Sequence, residues 1–130
     1  MIVLDASVVV ELLLATQVAD SLAARILAEA PWHAPAVLDL EVANAIRRLC
    51  TIHETSNERG SRAIGDLGTL PVRRYPHTPL LDRIWQLRPN LTAYDAAYIA
   101  LAEALDCELL TADGRLAKAP GPRCAIRLLR

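Results

Sequence analysis

A chain of 130 residues is long enough to bury a real core and short enough for one domain, so a single domain over residues 1–130 is expected. It is 53% hydrophobic with no phenylalanine, so Leu, Ala, Val and Ile must build the interior. The formal charge of −1 excludes a globally basic nucleic-acid coat, yet 13 of the 14 basic residues are arginine, and a local arginine patch can still grip phosphate.

The N-terminal stretch MIVLDASVVVELLLA is apolar but has no basic lead, and Asp5 and Glu11 interrupt it, so it does not read as a signal peptide. The longest uncharged run elsewhere, Ala30 to Leu38, is too short to span a bilayer. Cys50, Cys107 and Cys124 are odd in number and widely spaced, which suits reduced thiols in a cytoplasmic protein rather than a disulfide framework or a zinc site.

In chain order, Ile2 to Leu4 is a short apolar run ending at Asp5 and predicts a buried strand. Ser7 is placed to cap a short helix that includes Glu11, although Val8-Val9-Val10 suits helix and strand alike. Val18 to Ala30 predicts an amphipathic helix. Pro31 and Pro35 bracket a strand around His33. A helix beginning near Ala36 continues through LEVANAIRRLCTI, with Ala43, Ile46, Leu49 and Cys50 as its apolar stripe and Glu41, Asn44 and Arg48 on another line. Ser56 or Asn57 caps the next helix, which runs to about Leu67 despite Gly60 and Gly65. Val72 to Tyr75 predicts a strand, and Pro79 opens a helix that ends near Arg88, with Leu80, Leu81, Ile84, Trp85 and Leu87 expected in the core. TAYDAAYIALAEAL, Thr92 to Leu105, predicts a helix apolar enough to be buried on more than one side, with Asp95 as its only early charge. Cys107 to Thr111 is a clear strand, and Ala125 to Leu129 a weaker one.

Short apolar strands separated by helices predict an α/β fold, with a mostly parallel sheet covered on both faces. Sites in such folds lie outside the carboxyl ends of the strands, at a topological switch point. Four acids can reach that edge. Asp5 ends the first strand, Asp113 follows Thr111, Asp95 lies in the first turn of its helix, and Glu41 lies early in its own. Clustered carboxylates repel one another, and a hard divalent cation with oxygen ligands and waters is the usual remedy. Ser7, Asn44 and Thr111 can add neutral oxygens or supporting hydrogen bonds. Taken singly, each acid has a plainer role: Thr92-x-x-Asp95 resembles a capping box, Asp113-Gly114 a turn, Asp5 a strand end, and Glu41 a partner for Arg48. The set carries more weight than any member.

MIVLDASVVVELLL, LEVANAIRR, TAYDAAYIALAEAL and LLTADGRLAKA stand in the order and spacing of a PIN domain, and more narrowly the chain resembles the VapC-type toxin ribonucleases of toxin–antitoxin modules. The resemblance implies a three-layer α/β/α sandwich and an endoribonuclease that depends on Mg²⁺ or Mn²⁺. It also implies a VapB-like antitoxin that holds the enzyme inactive. Residue by residue, Asp5, Glu41, Asp95 and Asp113 match the family's four acids, and Ser7, Asn44 and Thr111 its polar accessory positions. Of the four, Asp113 is the acid expected to act through water. A metal in such a pocket lowers the pKa of an attacking water and offsets charge on the phosphoryl oxygens. His33, His53 and His77 have no spacing that makes them catalytic partners.

For RNA contacts, Arg73-Arg74-Tyr75 pairs charge with a stacking surface, while Arg47, Arg48, Arg83 and Arg88 are further candidates. The positive mean hydropathy of +0.24 fits a homodimer or a groove covered by an antitoxin. A phospho-acceptor receiver domain would want adjacent acids after the first strand and a late-strand lysine, whereas Asp5 is followed by Ala6 and the one lysine is Lys118. A haloacid-dehalogenase-type phosphatase would want D-x-D where this chain has Asp5-Ala6-Ser7. A catalytically silent PIN-like binding module is the remaining alternative, and the four acids argue against it.

Overall fold

The computed structural model describes residues 1–14, 25, 26 and 28–129. The helix expected over Val18 to Ala30 therefore falls mostly outside the described residues. Among the described residues five strands form the sheet: β1 (Ile2–Leu4), β2 (Trp32–Pro35), β3 (Val72–Tyr75), β4 (Glu108–Thr111) and β5 (Ile126–Leu128). Six helices among the described residues accompany them: α1 (Ala6–Leu13), α2 (Leu38–Thr51), α3 (Asn57–Thr69), α4 (Leu81–Gln86), α5 (Ala93–Leu105) and α6 (Gly114–Lys118).

Every strand pair is parallel, and the order is β3-β2-β1-β4-β5. The chain thus leaves β1 in one direction through β2 and β3, then returns to place β4 on its other side. The switch point lies between β1 and β4, where Ile2, Val3 and Leu4 pair with Glu108, Leu109 and Leu110. All three β1 residues are fully buried, as a central strand covered on both faces requires. Helix α5 packs across β1, β2 and β4, and α4 packs onto α5. Helix α1 packs on β4 and carries α2 and α3. The fold is the expected three-layer α/β/α sandwich, with a sheet that is wholly parallel among the described strands.

Local choices explain the element boundaries. Ser56, rather than Asn57, caps α3, its hydroxyl accepting a hydrogen bond from Arg59 N at 3.1 Å. Gly60 lets α3 approach α2 closely, since a Cβ there would lie 2.7 Å from Cys50 Sγ. The buried line on α2 runs through Leu38, Val42 and Ile46, while Leu49 and Cys50 are only partly covered. Helix α5 is buried on all sides from Ala96 to Ala102, as its composition predicts. It ends at Asp106, whose φ of 52° is the left-handed conformation that stops a helix.

Two expectations are corrected. The helix foreseen from Pro79 to Arg88 divides into a 3₁₀ turn, Thr78–Leu80, and α4. Only Ile84 and Leu87 of its apolar residues are buried; Leu81 and Trp85 are 50% and 66% exposed. Ser7 does not cap α1, because the helix starts at Ala6 with Asp5 in the cap position. Among the described residues no helix is long and apolar enough to cross a membrane.

Arg74, an expected RNA contact, is engaged within the fold. Its guanidinium bonds Asp39 Oδ1 at 2.9 Å and donates to the carbonyls of Leu67, Leu70 and Val72 at 2.8, 3.3 and 3.0 Å. It thereby satisfies the carboxyl end of α3 and ties it to β3 and the start of α2. Arg74→Ala strands those acceptors and is expected to cost about 1–3 kcal/mol of stability, measured by urea denaturation. An unchanged unfolding midpoint would show that water replaces the guanidinium without loss.

Candidate functional site

Asp5 closes β1, and its backbone N–H donates to Leu110 O at 3.0 Å, holding the end of β1 against β4. Two hydroxyls fix its carboxylate. Ser7 Oγ donates to Asp5 Oδ2 at 2.5 Å and Thr111 Oγ1 donates to the same oxygen at 2.8 Å. Each hydroxyl also accepts a backbone hydrogen bond, Ser7 Oγ from Ala112 N at 2.9 Å and Thr111 Oγ1 from Asp113 N at 3.0 Å. Both hydroxyl protons therefore point at one carboxylate oxygen, which an ionised Asp5 accepts. Asp5 Oδ1 receives neither and is left for the cleft that Asp5 lines.

That cleft, about 440 Å³ in volume, is lined by all four acids, Asp5, Glu41, Asp95 and Asp113, together with Ser7 and Asn44. Thr111, fully buried, stands behind it through its bond to Asp5. Glu41 comes from the first turn of α2 and Asn44 follows three residues on. Thr92 caps α5 by accepting from Asp95 N at 3.2 Å, so the capping role and the placement of the Asp95 side chain coexist. Asp113 caps α6, with Oδ1 accepting from Arg115 N at 2.9 Å.

Mutual repulsion orders the acids across the cleft. Burial chiefly raises the pKa of Glu41 above its ordinary 4.5, and the charges of Asp5 and Asp95 add to the rise, while the Tyr98 hydroxyl opposes it. Burial also raises Asp95 above its ordinary 3.8, reinforced by Asp5 and Asp113, while the Thr92 hydroxyl and Arg115 pull it back. Glu41 and Asp95 thus both feel the charge of Asp5, and Asp95 also that of Asp113. Tyr98, one turn after Asp95 and wholly buried, has its phenol pKa pushed up first by burial and then by Glu41. Tyr98 Oη and Glu41 Oε1 are electrostatic neighbours, yet neither makes a hydrogen bond of good geometry. Glu41 Oε1 is therefore a buried acceptor still wanting a donor or a cation.

The donor set is wholly hard oxygen, as Mg²⁺ or Mn²⁺ prefers. The acids line the cleft rather than close on a point: among the described residues no three His, Cys, Asp or Glu side chains stand close enough to hold one ion together.

Sequence reading overlooks Glu11 as a cleft residue, whereas Arg48, expected on the line of Glu41 and Asn44, lines the cleft with them. Glu11 lies four residues after Ser7, one helical turn along the same face, which was a usable signal. Neither Arg73 nor Arg74 lines the cleft. Arg73 instead stacks over Tyr75, 5.1 Å from the ring centre, and Tyr75 Oη is 2.6 Å from His33 Nδ1. Burial lowers the pKa of His33, a core histidine as expected.

A wholly parallel sheet with carboxylates gathered at its switch point defines the class, and the chain belongs to the PIN-domain family, which its residues 2–122 match. Its relatives narrow that to the VapC branch. It is 46% identical over 129 residues to the ribonuclease VapC1 of Mycobacterium tuberculosis, covering 98% of this chain and 97% of that one. Ribonuclease VapC12 of the same organism is 44% identical over 129 residues, covering 99% of each chain. Among solved structures, a protein from Pyrobaculum aerophilum superposes with a TM-score of 0.70 at 22% identity, covering 96% of this chain and 81% of that one. Mycobacterium tuberculosis VapC20, a sarcin-ricin-loop-cleaving toxin, superposes at 0.67 with 17% identity, covering 89% and 92%. At these identities the structural likeness is one of fold.

Because Glu41 and Asp95 hold their protons more tightly folded than unfolded, the stability linked to protonation is present below their ordinary pKa values. It is lost as pH rises through the elevated ones. Asp95→Asn is therefore expected to raise the melting temperature of metal-free protein at pH 7 by roughly 2–4 °C and to flatten its decline above pH ~4. A lower melting temperature for Asp95→Asn in calorimetry across that range would contradict the proposed repulsion.

Proposed function

We propose that this chain is the ribonuclease toxin of a toxin–antitoxin pair, cutting RNA phosphodiester bonds by hydrolysis at the four-acid cleft. The observation that carries the reading is the assembly of Asp5, Glu41, Asp95 and Asp113 around one opening at the switch point. Relatives named as ribonucleases at 42–46% identity along nearly the whole chain support it. The whole of residues 1–130 is read as one nuclease unit acting in the cytoplasm.

In this reading the cofactor is Mg²⁺, with Mn²⁺ as a substitute, and Asp5, Glu41, Asp95 and Asp113 would hold it, Asp113 through water. When bound, such an ion would supply an activated water and offset charge on the phosphoryl oxygens. The protein's own part is orientation. Ser7 and Thr111 orient Asp5 through its Oδ2, the capped start of α5 holds Asp95, and Glu41 brings a carboxylate from the first turn of α2 to the cleft. Asn44 offers an uncharged amide to the same space. Arg73 remains a candidate for contact with RNA beyond the cleft.

A VapB-like antitoxin is the partner expected to cover the cleft. A homodimer is favoured by the apolar face that Leu81 and Tyr94 present beside a groove containing Val37, Ile84 and Ala97. Purified Asp5→Asn is expected to keep its fold and to cleave single-stranded RNA about 100-fold more slowly or less, and Thr111→Val about tenfold more slowly. Chelation should silence the parent protein and added Mg²⁺ or Mn²⁺ restore it. Parent-level cleavage by folded Asp5→Asn would point to a silent PIN-like module and a contaminating nuclease.

A further inference from the structure

We propose that Arg48 and Arg115 are positioning residues that grip RNA phosphates on the two banks of the acid cleft, holding the scissile phosphate between them. The proposal rests on reading the cleft as a ribonuclease site and names how that site holds its substrate.

An acid-lined cleft repels RNA, which carries a phosphate at every nucleotide. Something must hold the strand over the acids, and an arginine fork matches phosphate oxygens in charge and geometry. Among the described residues, Arg48 is the one basic side chain lining the cleft. It stands on α2 seven residues after Glu41 and four after Asn44, so all three share a face. It is exposed and makes no ion pair or hydrogen bond through its side chain to a described residue.

Arg115 stands beside another of the lining acids, Asp113. It follows Asp113 in the first turn of α6, and its side chain is 93% exposed. Its guanidinium lies 3.6 Å from Asp113 Oδ2, a contact loose enough to leave the fork able to turn toward a phosphate. Asp113 itself lines the cleft, which places Arg115 beside it. A strand held by Arg48 and Arg115 together therefore lies along the acid-lined opening. Other arginines are occupied elsewhere: Arg74 with Asp39, Arg83 with Glu103, Arg127 with Glu29 and Glu108, and Arg88 against Trp85.

The test is steady-state cleavage of a single-stranded RNA oligonucleotide at several salt concentrations. Parent protein, Arg48→Gln, Arg115→Gln and the double variant are compared, with Arg62→Gln, exposed on α3, as surface control and Asp5→Asn in parallel. Each single variant should raise KM about tenfold and leave kcat within about twofold. Each should lower the salt slope of kcat/KM by about 0.7, and the double variant by about twice that. Arg48→Lys and Arg115→Lys should restore the slope, because lysine keeps the charge, while melting temperatures stay at the parent value. Parent KM and salt slope in both glutamine variants would overturn the proposal, as would a fall in kcat at unchanged KM. Cleavage by Asp5→Asn at the parent rate would instead defeat the ribonuclease reading, and this proposal with it.

Discussion

Everything at the cleft hangs on the hydrogen bonds that converge on Asp5 Oδ2. Ser7 Oγ and Thr111 Oγ1 both donate to it, across separations of 2 and 106 residues, while accepting from the backbone at Ala112 and Asp113. One carboxylate oxygen thus joins β1, α1 and the β4–α6 connection. With Asp5 N bound to Leu110 O, the two strands that flank the switch point are locked in register beside their acids. The same bonds that orient Asp5 also set where Asp113 begins α6. Shape of the sheet and shape of the site are one constraint.

The second acid of the pair needs a different mount. Helix α5 is buried along seven consecutive residues, Ala96 to Ala102, and this rigid rod presents Asp95 from a capped first turn. The arrangement carries an electrostatic cost. Glu41 and Asp95 repel each other and Asp5 at the edge of an apolar interior, and Tyr98 brings a buried hydroxyl without a sound hydrogen bond into the same neighbourhood. Local conflict of this kind concentrates at functional sites, where it is offset by packing elsewhere and relieved by the ligand. A divalent ion would meet the repulsion and the unpartnered Glu41 oxygen together.

Much of this was legible in the sequence, because the signals were local. Buried strands read as unbroken apolar runs such as Ile2 to Leu4, and each acid announced itself by ending a strand or opening a helix. Ser56 and Thr92 lay where caps belong. What escaped depended on distant partners. Nothing near Ser7 says that its hydroxyl will meet Ala112, and nothing near Arg74 says that Asp39 and three carbonyls will claim it. Leu81 and Trp85 carry the spacing of a core face, yet a turn of 3₁₀ helix ahead of α4 leaves them at the surface. Arg115 carried no signal of its own, and only the fold shows its guanidinium 3.6 Å from Asp113 Oδ2 beside the cleft.

The central claim is that these four acids form one hydrated-cation site, and anomalous scattering from crystals grown with Mn²⁺ tests it most directly. The account predicts a single strong region of anomalous density in the cleft among the four acids, with water bridging to Asp113. Density confined to other surfaces, in crystals where the cleft is open to solvent and Mn²⁺ is at millimolar concentration, would contradict it.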